Sequence, residues 1–390
     1  MPIFKRARPL EKVIFVAYGA LDSNSGGHIA GFARELDRRG VACAVAAREG
    51  ILHAHAYGPP AFEAFSHDAL IADPEGVVGF DGVLAPARTL VLAWTPRKPV
   101  RRAVERIVKR LKIPYVVHFE DNEDHLAALR LADDPAALAT DATQRAGFLA
   151  GALGATVIEP RLLEVLPAGL PALVLEPGVD FAELGEPLRA RRRAALLTAC
   201  GAPEGASVIV YPGNAHRANA GEMAALYGAV RMLRGRGRNV VLIRTGKDTV
   251  PLPLQGDLSE HGVIPLGLVD RPTLVELLKC GDLFVQPGAP GPFNDYRLPS
   301  KIPEFMAVGR PIVLPATNVG LRLRHGVEAL LLKDGSAEEI AGLAETVLDD
   351  RALAQRLSLN AQAFARRAYD WRRQGGKLAR FLGRLRRAGA

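Results

Sequence analysis

The 390-residue chain is poor in cysteine and in aromatic residues: three cysteines, two tryptophans, and 6% Phe, Trp and Tyr together. Cys43, Cys200 and Cys280 are far apart and odd in number. That excludes a disulfide framework or a cysteine metal cluster and leaves reduced core thiols. No apolar run approaches the ~20 residues that cross a bilayer. Lys5, Arg6 and Arg8 precede the apolar stretch "VIFVAYGA". The stretch is short and runs into the loop "LDSNSGGH" without a small-residue cleavage site, so it reads as a first buried strand and not a signal peptide. A cytoplasmic location is the expectation. Low-complexity segments and short repeats are missing. So is the aromatic-rich basic motif of a nucleic-acid binder, so no nucleic-acid partner is expected.

Hydrophobic residues make up 48% and charged residues 24%, a globular balance, and the length suits two or three domains. The net charge is +8. Residues 366–390 hold nine basic residues against Asp370 alone, which accounts for the whole excess. Such a tail fits an anionic partner and equally a solvated terminal helix. Within it, "KLARFLGRLRRAG" places Leu378, Phe381, Leu382 and Leu385 at helical spacing among basic residues. "RKPVRRAVERIVKRLK" does the same with Val100, Val104, Ile107, Val108 and Leu111. Helices of this kind lie on anionic lipid, giving peripheral membrane contact, or pack their apolar stripe on a sheet.

Short apolar runs alternate with helical patterns along the chain. "KVIFVAYG", "VACAVAA", "TLVLAW", "PYVVHF" and "ALVLEPGVD" read as strands, with a helix ending at Gly40 after the first. The pattern restarts with "SVIVYPGN", "NVVLIRTG", "LFVQPG" and "PIVLPAT", separated by helical segments. This order predicts an α/β fold of two doubly wound halves with mostly parallel sheets. The expected domains are residues 1–182, 183–365, and a basic helix over 366–390 that crosses back to the first. Ligands of such sheets bind beyond the strands' carboxyl ends, which points to loops 19–27, 118–125, 211–219, 244–248, 287–300 and 316–320.

Three constellations fall in those loops. Gly26 and Gly27 precede the first helix, where glycine lets a backbone approach a phosphate, although a plain turn explains them too. "PSKIPEFMA" starts a helix at Pro299 and Ser300 and puts Lys301 and Glu304 on one face. A lysine in a first turn opposes the helix dipole unless an anion offsets it. Glu304 can accept from two neighbouring hydroxyls, as ribose recognition requires. A surface Lys–Glu pair is the alternative. His118 ends a strand in "VVHFEDNEDH", a place suited to acid–base work or to a sugar hydroxyl. Glu120, Asp121, Glu123, Asp124 and His125 follow it. They lack a recognisable metal-ligand pattern, and acidic residues at a helix start are expected from the dipole.

Taken in order, "GGHIAGFARELDRRGVACAVAA", "LEPGVD", "VYPGNAHRANAGEMAAL" and "GDLFVQPG…LPSKIPEFMAVGRPIV" with the following "GVEALLLKDGSAEEIAGLAETVLDD" resemble a retaining glycosyltransferase of the GT-B fold, in the large family called glycosyltransferase family 4 or group 1. The resemblance covers nearly the whole chain. It implies two Rossmann-like domains facing across a cleft, a nucleotide-diphosphate sugar donor, a hydroxyl acceptor (a glycan, a lipid-linked compound or a small molecule) and no cofactor. It implies that Glu304 binds the nucleotide ribose, that the turn through Ser300 offers N–H groups to the phosphates, and that His118 contacts the donor sugar. The acidic residue usual eight positions before Glu304 is replaced by Tyr296, beside Asp295, as in a subset of the family with a Pro-Ser-Lys sequence. The usual glycine–arginine and lysine pair after the first strand of the nucleotide domain becomes Gly213-Asn214 and Asn219. Arg217, Arg244 and Lys301 are then the expected positive charges at the diphosphate. No metal is expected, because helix dipoles and basic side chains can stabilise the leaving group. A non-catalytic relative that binds sugar nucleotide or a protein partner is the alternative reading.

Overall fold

A computed structural model describes residues 9–48, 62–253 and 256–388. The basic Lys5, Arg6 and Arg8 lie outside them. The chain divides into two compact units, Met1–Gly178 with Trp371–Ala390, and Val179–Asp370. The boundaries differ by a few residues from those expected. Arg366 and Arg367 end a helix of the second unit, so the basic segment over 366–390 is shared by two helices.

The first unit holds strands β1 (Lys12–Ala17), β2 (Ala42–Ala47), β3 (Glu63–Ser66), β4 (Thr89–Trp94), β5 (Tyr115–Phe119), β6 (Gly154–Val157) and β7 (Ala172–Val174). They form one parallel sheet in the order β3-β2-β1-β4-β5-β6-β7. The helices are α1 (Asn24–Asp37), α2 (His67–Ala72), α3 (Pro74–Val78), α4 (Lys98–Leu111), α5 (Glu123–Arg130) and α6 (Pro135–Ala150). Both sheet faces are covered, so strand residues of either parity are buried, Phe15 as well as Ile14 and Leu92 as well as Val91.

The second unit continues with α7 (Phe181–Leu184), α8 (Ala190–Ala199), β8 (Ser207–Pro212), α9 (Ala220–Gly235), β9 (Val240–Thr245), β10 (Val263–Gly267), α10 (Arg271–Cys280), β11 (Phe284–Val285), α11 (Lys301–Val308), β12 (Ile312–Pro315), β13 (Leu330–Leu332), α12 (Ala337–Asp349) and α13 (Arg351–Ala368). Parallel ladders β10-β9-β8 and β11-β12-β13 are joined by a bridge between Ile209 and Leu283. The strand order reverses between β8 and β11, and a crevice opens where the order of such a sheet reverses.

The last helix, α14 (Trp371–Ala388), belongs to the first unit. Its stripe of Leu378, Phe381, Leu382 and Leu385 is buried with Phe15, Phe32, Leu92 and Trp94. Close approach fixes it on α1, because a Cβ on Gly31 would lie 2.2 Å from the Trp371 ring and one on Gly375 would lie 2.3 Å from the Glu35 Cβ. On α4, Val100, Val104 and Ile107 are likewise buried. Most of both apolar stripes is therefore buried inside the unit, with Val108 and Leu111 at the end of the α4 stripe half-buried. The arginines of α14 at 372, 373, 380, 384 and 387 stay exposed. Among the described residues no helix is long and apolar enough to cross a membrane.

Candidate functional site

In the second unit the carboxyl end of β8 turns sharply at Gly213, whose φ of 142° favours glycine. The turn after β9 lies against it, since a Cβ on Gly246 would meet the Gly213 carbonyl oxygen at 2.4 Å. Asn214 accepts from the Lys247 N–H at 2.8 Å and ties the two turns together. Arg244 is buried and paired with Asp248, and its guanidinium also reaches the Gly213 and Lys247 carbonyls at 3.5 and 3.4 Å. Its charge is engaged in fixing these turns. Arg217, expected at the diphosphate as well, is exposed and makes no hydrogen bond or ion pair among the described residues.

α11 begins beside this platform. Ser300 has helical φ and ψ and no side-chain capping bond; Ile302 N–H bonds the Pro299 carbonyl at 3.0 Å and Pro303 has none, so the Ser300 and Lys301 amides are the ones left free among the described residues. Lys301 extends to Gly213 and sits over the Tyr211 ring, with its Nζ 3.2 Å from the Tyr211 hydroxyl. Burial and the neighbouring Arg297 charge lower its pKa to about 7, against the attraction of Glu222 and Glu304. A dipole end, the Ser300 and Lys301 amides and a lysine held partly discharged form a site that gains from an anion. Glu304, one turn further, pairs with Arg271, which also holds Glu183 at 2.7 Å. Gly309 closes α11 in the left-handed conformation, and the chain turns through Arg310 and Pro311 into β12.

An open pocket of about 370 Å³ lies nearby, lined by Glu222, Phe293, Asn294 and Asp334 among others. Asn294 donates to Glu222 at 2.6 Å, and Arg297 covers the Phe293 ring at 3.9 Å. Burial pushes the Glu222 carboxyl up, although Arg297, Asn294 and Lys301 oppose it.

In the first unit Gly26 and Gly27 belong to α1 and do not precede it. Ser23 caps the helix, accepting from the Gly26 N–H at 3.2 Å. A Cβ on Gly26 would fall 2.1 Å from the Leu21 carbonyl oxygen, so close packing against that loop requires this glycine. His118 is 1% exposed. Its Nδ1 faces the Thr156 hydroxyl at 2.8 Å, its ring stacks on Trp94 at 3.9 Å, and its Nε2 is buried without a partner. Burial drives its pKa down to about 3, so the ring is neutral. The imidazole expected to do acid–base work at a strand end is thus enclosed, with Nδ1 on Thr156 and Nε2 facing no partner. Thr95, next in the chain after Trp94, has φ 75°, a strained value for a β-branched residue.

Glu120 is not part of a helix start, since α5 begins at Glu123 with Asn122 as its cap. Its carboxylate accepts from Trp94 Nε1 at 2.9 Å and Ser25 Oγ at 2.5 Å, and faces His28 Nδ1 at 3.3 Å. Glu123 and Asp121 are held by Arg97. Among the described residues no group of three His, Cys, Asp or Glu side chains is placed to hold a metal.

Residues 206–350 match the family model for glycosyl transferases group 1. The match is to that stretch alone. It includes the Gly213 turn, Arg244, Arg271, Lys301 and Glu304. No curated protein matches the chain at a significant level. Among solved structures, the chain is similar to Anabaena HepE in complex with UDP and glucose, with a TM-score of 0.71 and 16% identity over 95% of this chain and 99% of that one. Sucrose-phosphate synthase from Thermosynechococcus elongatus gives 0.67 and 12% over 97% and 100%. WaaG, a glycosyltransferase involved in lipopolysaccharide biosynthesis, gives 0.65 and 14% over 94% and 98%. These likenesses show the GT-B fold.

Within the matched stretch, Tyr211, Glu222, Arg271 and Arg297 hold the singled-out residues in place, and the sequence alone did not mark them. Arg271 and Glu304 are 33 positions apart, and Lys301 and Tyr211 are 90 apart. Helical spacing does not report contacts of that range. In the first unit His28 was equally unmarked; its only local signal is a position directly after the glycine pair.

Proposed function

We propose that the protein transfers a sugar from a nucleotide-diphosphate donor to a hydroxyl acceptor, with retention at the anomeric carbon as the family resemblance implies. The uncapped start of α11, with Lys301 laid against the Gly213 turn, carries this reading. It is an anion site inside the stretch that matches group 1, and one similar structure was solved with UDP and glucose. In this account the diphosphate lies on the α11 N-terminus and Lys301, Arg217 closes over it, and Glu304 takes the ribose hydroxyls. Gly213, Asn214 and Arg244 shape the turn beneath. The leaving diphosphate is stabilised by these groups and needs no metal.

The acceptor is a glycan, a lipid-linked compound or a small molecule, and the chain works in the cytoplasm. Contact with an anionic membrane would be electrostatic and made by the exposed arginines of α14, its apolar side being spent on the sheet. The sealed position of His118 favours a second reading, donor binding without transfer. A transfer assay with a panel of nucleotide sugars and hydroxyl acceptors, with and without EDTA, separates the two. Product formed with retention and unaffected by EDTA is expected. Donor binding without product supports the second reading.

A further inference from the structure

One arginine of the second unit holds two carboxylates, and one of them is Glu304. Arg271 opens α10, directly after the Asp270 cap, which accepts from the Thr273 N–H at 2.9 Å. A cation in a helix's first turn opposes the dipole, so this guanidinium sits where its own helix disfavours it. What it gains lies outside α10. Its Nε and Nη2 donate to the Glu183 carboxylate of α7 at 3.4 and 2.7 Å, and its Nη1 donates to Glu304 Oε1 on α11. The Arg271 side chain is 15% exposed, against 35% for Glu183 and 20% for Glu304. Burial alone would lower its pKa; the charge of Glu304, with the bonds and charge of Glu183, outweighs that and raises it. The guanidinium is a fixed charge.

That fixes Glu304 in turn. A planar guanidinium locked to Glu183 along one edge presents its remaining nitrogen in one direction, which sets where Oε1 of Glu304 lies. Oε2 makes no hydrogen bond among the described residues. A carboxylate with one oxygen held and the other open still has lone pairs for two hydroxyl donors. Two adjacent hydroxyls are what the ribose of a nucleotide offers and what a 2′-deoxyribose lacks. Without the arginine Glu304 would be a flexible side chain, and ordering it would weaken binding. Lys301, on the same helix, does not take the arginine's place, because its Nζ lies against Tyr211 and Gly213.

We propose that Arg271 is the positioning residue that makes Glu304 an acceptor for two hydroxyls, and that it thereby sets the site's preference for ribonucleotides over deoxyribonucleotides. The inference rests on the donor reading of α11 and adds how selection for the ribose is built. Glu183 acts one step further out, by holding Arg271. The diphosphate end of the ligand meets Lys301 and the Ser300 and Lys301 amides, none of which is a hydrogen-bond partner of Arg271. Loss of the arginine therefore acts on the sugar end of the ligand and spares the phosphate end.

The test titrates wild type, Arg271→Gln and Glu183→Gln by calorimetry with ADP, CDP, GDP and UDP, with the 2′-deoxy counterpart of whichever binds, and with pyrophosphate. Wild type is expected to bind the ribonucleotide about 10-fold or more tightly than its 2′-deoxy form. Arg271→Gln should shrink that ratio to about 3-fold or less, with pyrophosphate affinity within about 2-fold of wild type. Glu183→Gln should give a ratio between the two. A folded Arg271→Gln variant that keeps the wild-type ratio overturns the proposal. So does an equal loss for ribonucleotide, deoxyribonucleotide and pyrophosphate, which would make the arginine structural. If Arg271→Gln does not fold, the ratio in Glu183→Gln decides in the same way. A wild-type chain that binds none of the panel fails at the donor reading, and one that binds ribose and deoxyribose forms alike fails at the ribose role of Glu304. The inference falls with either, but on a different measurement.

Discussion

The ammonium of Lys301 lies 3.2 Å from the Tyr211 hydroxyl and 4.6 Å from the centre of its ring. Burial and Arg297 bring its pKa to about 7, so above that pH the free protein holds it largely uncharged. A bound diphosphate favours the charged form and pulls the pKa back toward its ordinary value. Binding should therefore take up a proton between about pH 7 and the usual lysine range near 10. Affinity for nucleoside diphosphate is expected to fall by up to about tenfold per pH unit above 7. Calorimetry in buffers of differing ionisation enthalpy measures the uptake. Lys301→Met should abolish it and weaken diphosphate much more than nucleoside, whereas equal losses for both ligands would make the lysine structural.

Glu304 is tested separately. Glu304→Gln removes the charge that would accept ribose hydroxyls, and about 1–3 kcal/mol of nucleotide-sugar affinity should go with it. The melting temperature should move little, because Arg271 keeps Glu183 at 2.7 Å. Unchanged affinity in the folded variant removes the ribose role.

Arg244 is 3% exposed and relies on Asp248 for its charge partner. Asp248→Asn leaves a buried guanidinium with two carbonyls at 3.4 Å or more. The cost should be about 1–3 kcal/mol in urea unfolding. Diphosphate binding should weaken as the Gly213 and Gly246 turns loosen. Wild-type stability in the variant would show that the pair is dispensable.

The packing of α14 predicts a contrast along one helix. Phe381, in the core of the first unit, should cost about 3–5 kcal/mol when changed to alanine. The exposed Arg384→Ala should stay within about 0.5 kcal/mol. Similar small losses at both positions would place the helix elsewhere.

Much of the fold was readable because buried parallel strands are continuous apolar runs, as in "TLVLAW" and "SVIVYP". The Lys301–Glu304 helix was readable because Pro-Ser at its start and Gly-Arg-Pro at its end are local signals. β3 and β10 were not, since "EAFS" and "VIPLG" are short and only partly buried. "ALVLEPGVD" reads as one strand, yet the ladder stops at Val174, and Val179 bridges to Asp370. The site was legible only where it follows the chain. His28 and Glu120 are 92 positions apart, and their meeting depends on α1 docking at the end of β5. His118 was picked for its strand end, but the face on which Trp94 covers it is a matter of packing.

The most direct measurement is calorimetric titration of the folded 390-residue chain with a panel of nucleoside diphosphates and their sugars. The account predicts that at least one nucleotide sugar binds, that its nucleoside diphosphate competes with it, and that Lys301→Met and Glu304→Gln each weaken it. A folded chain that binds no member of the panel, or binds one equally well in both variants, would contradict it.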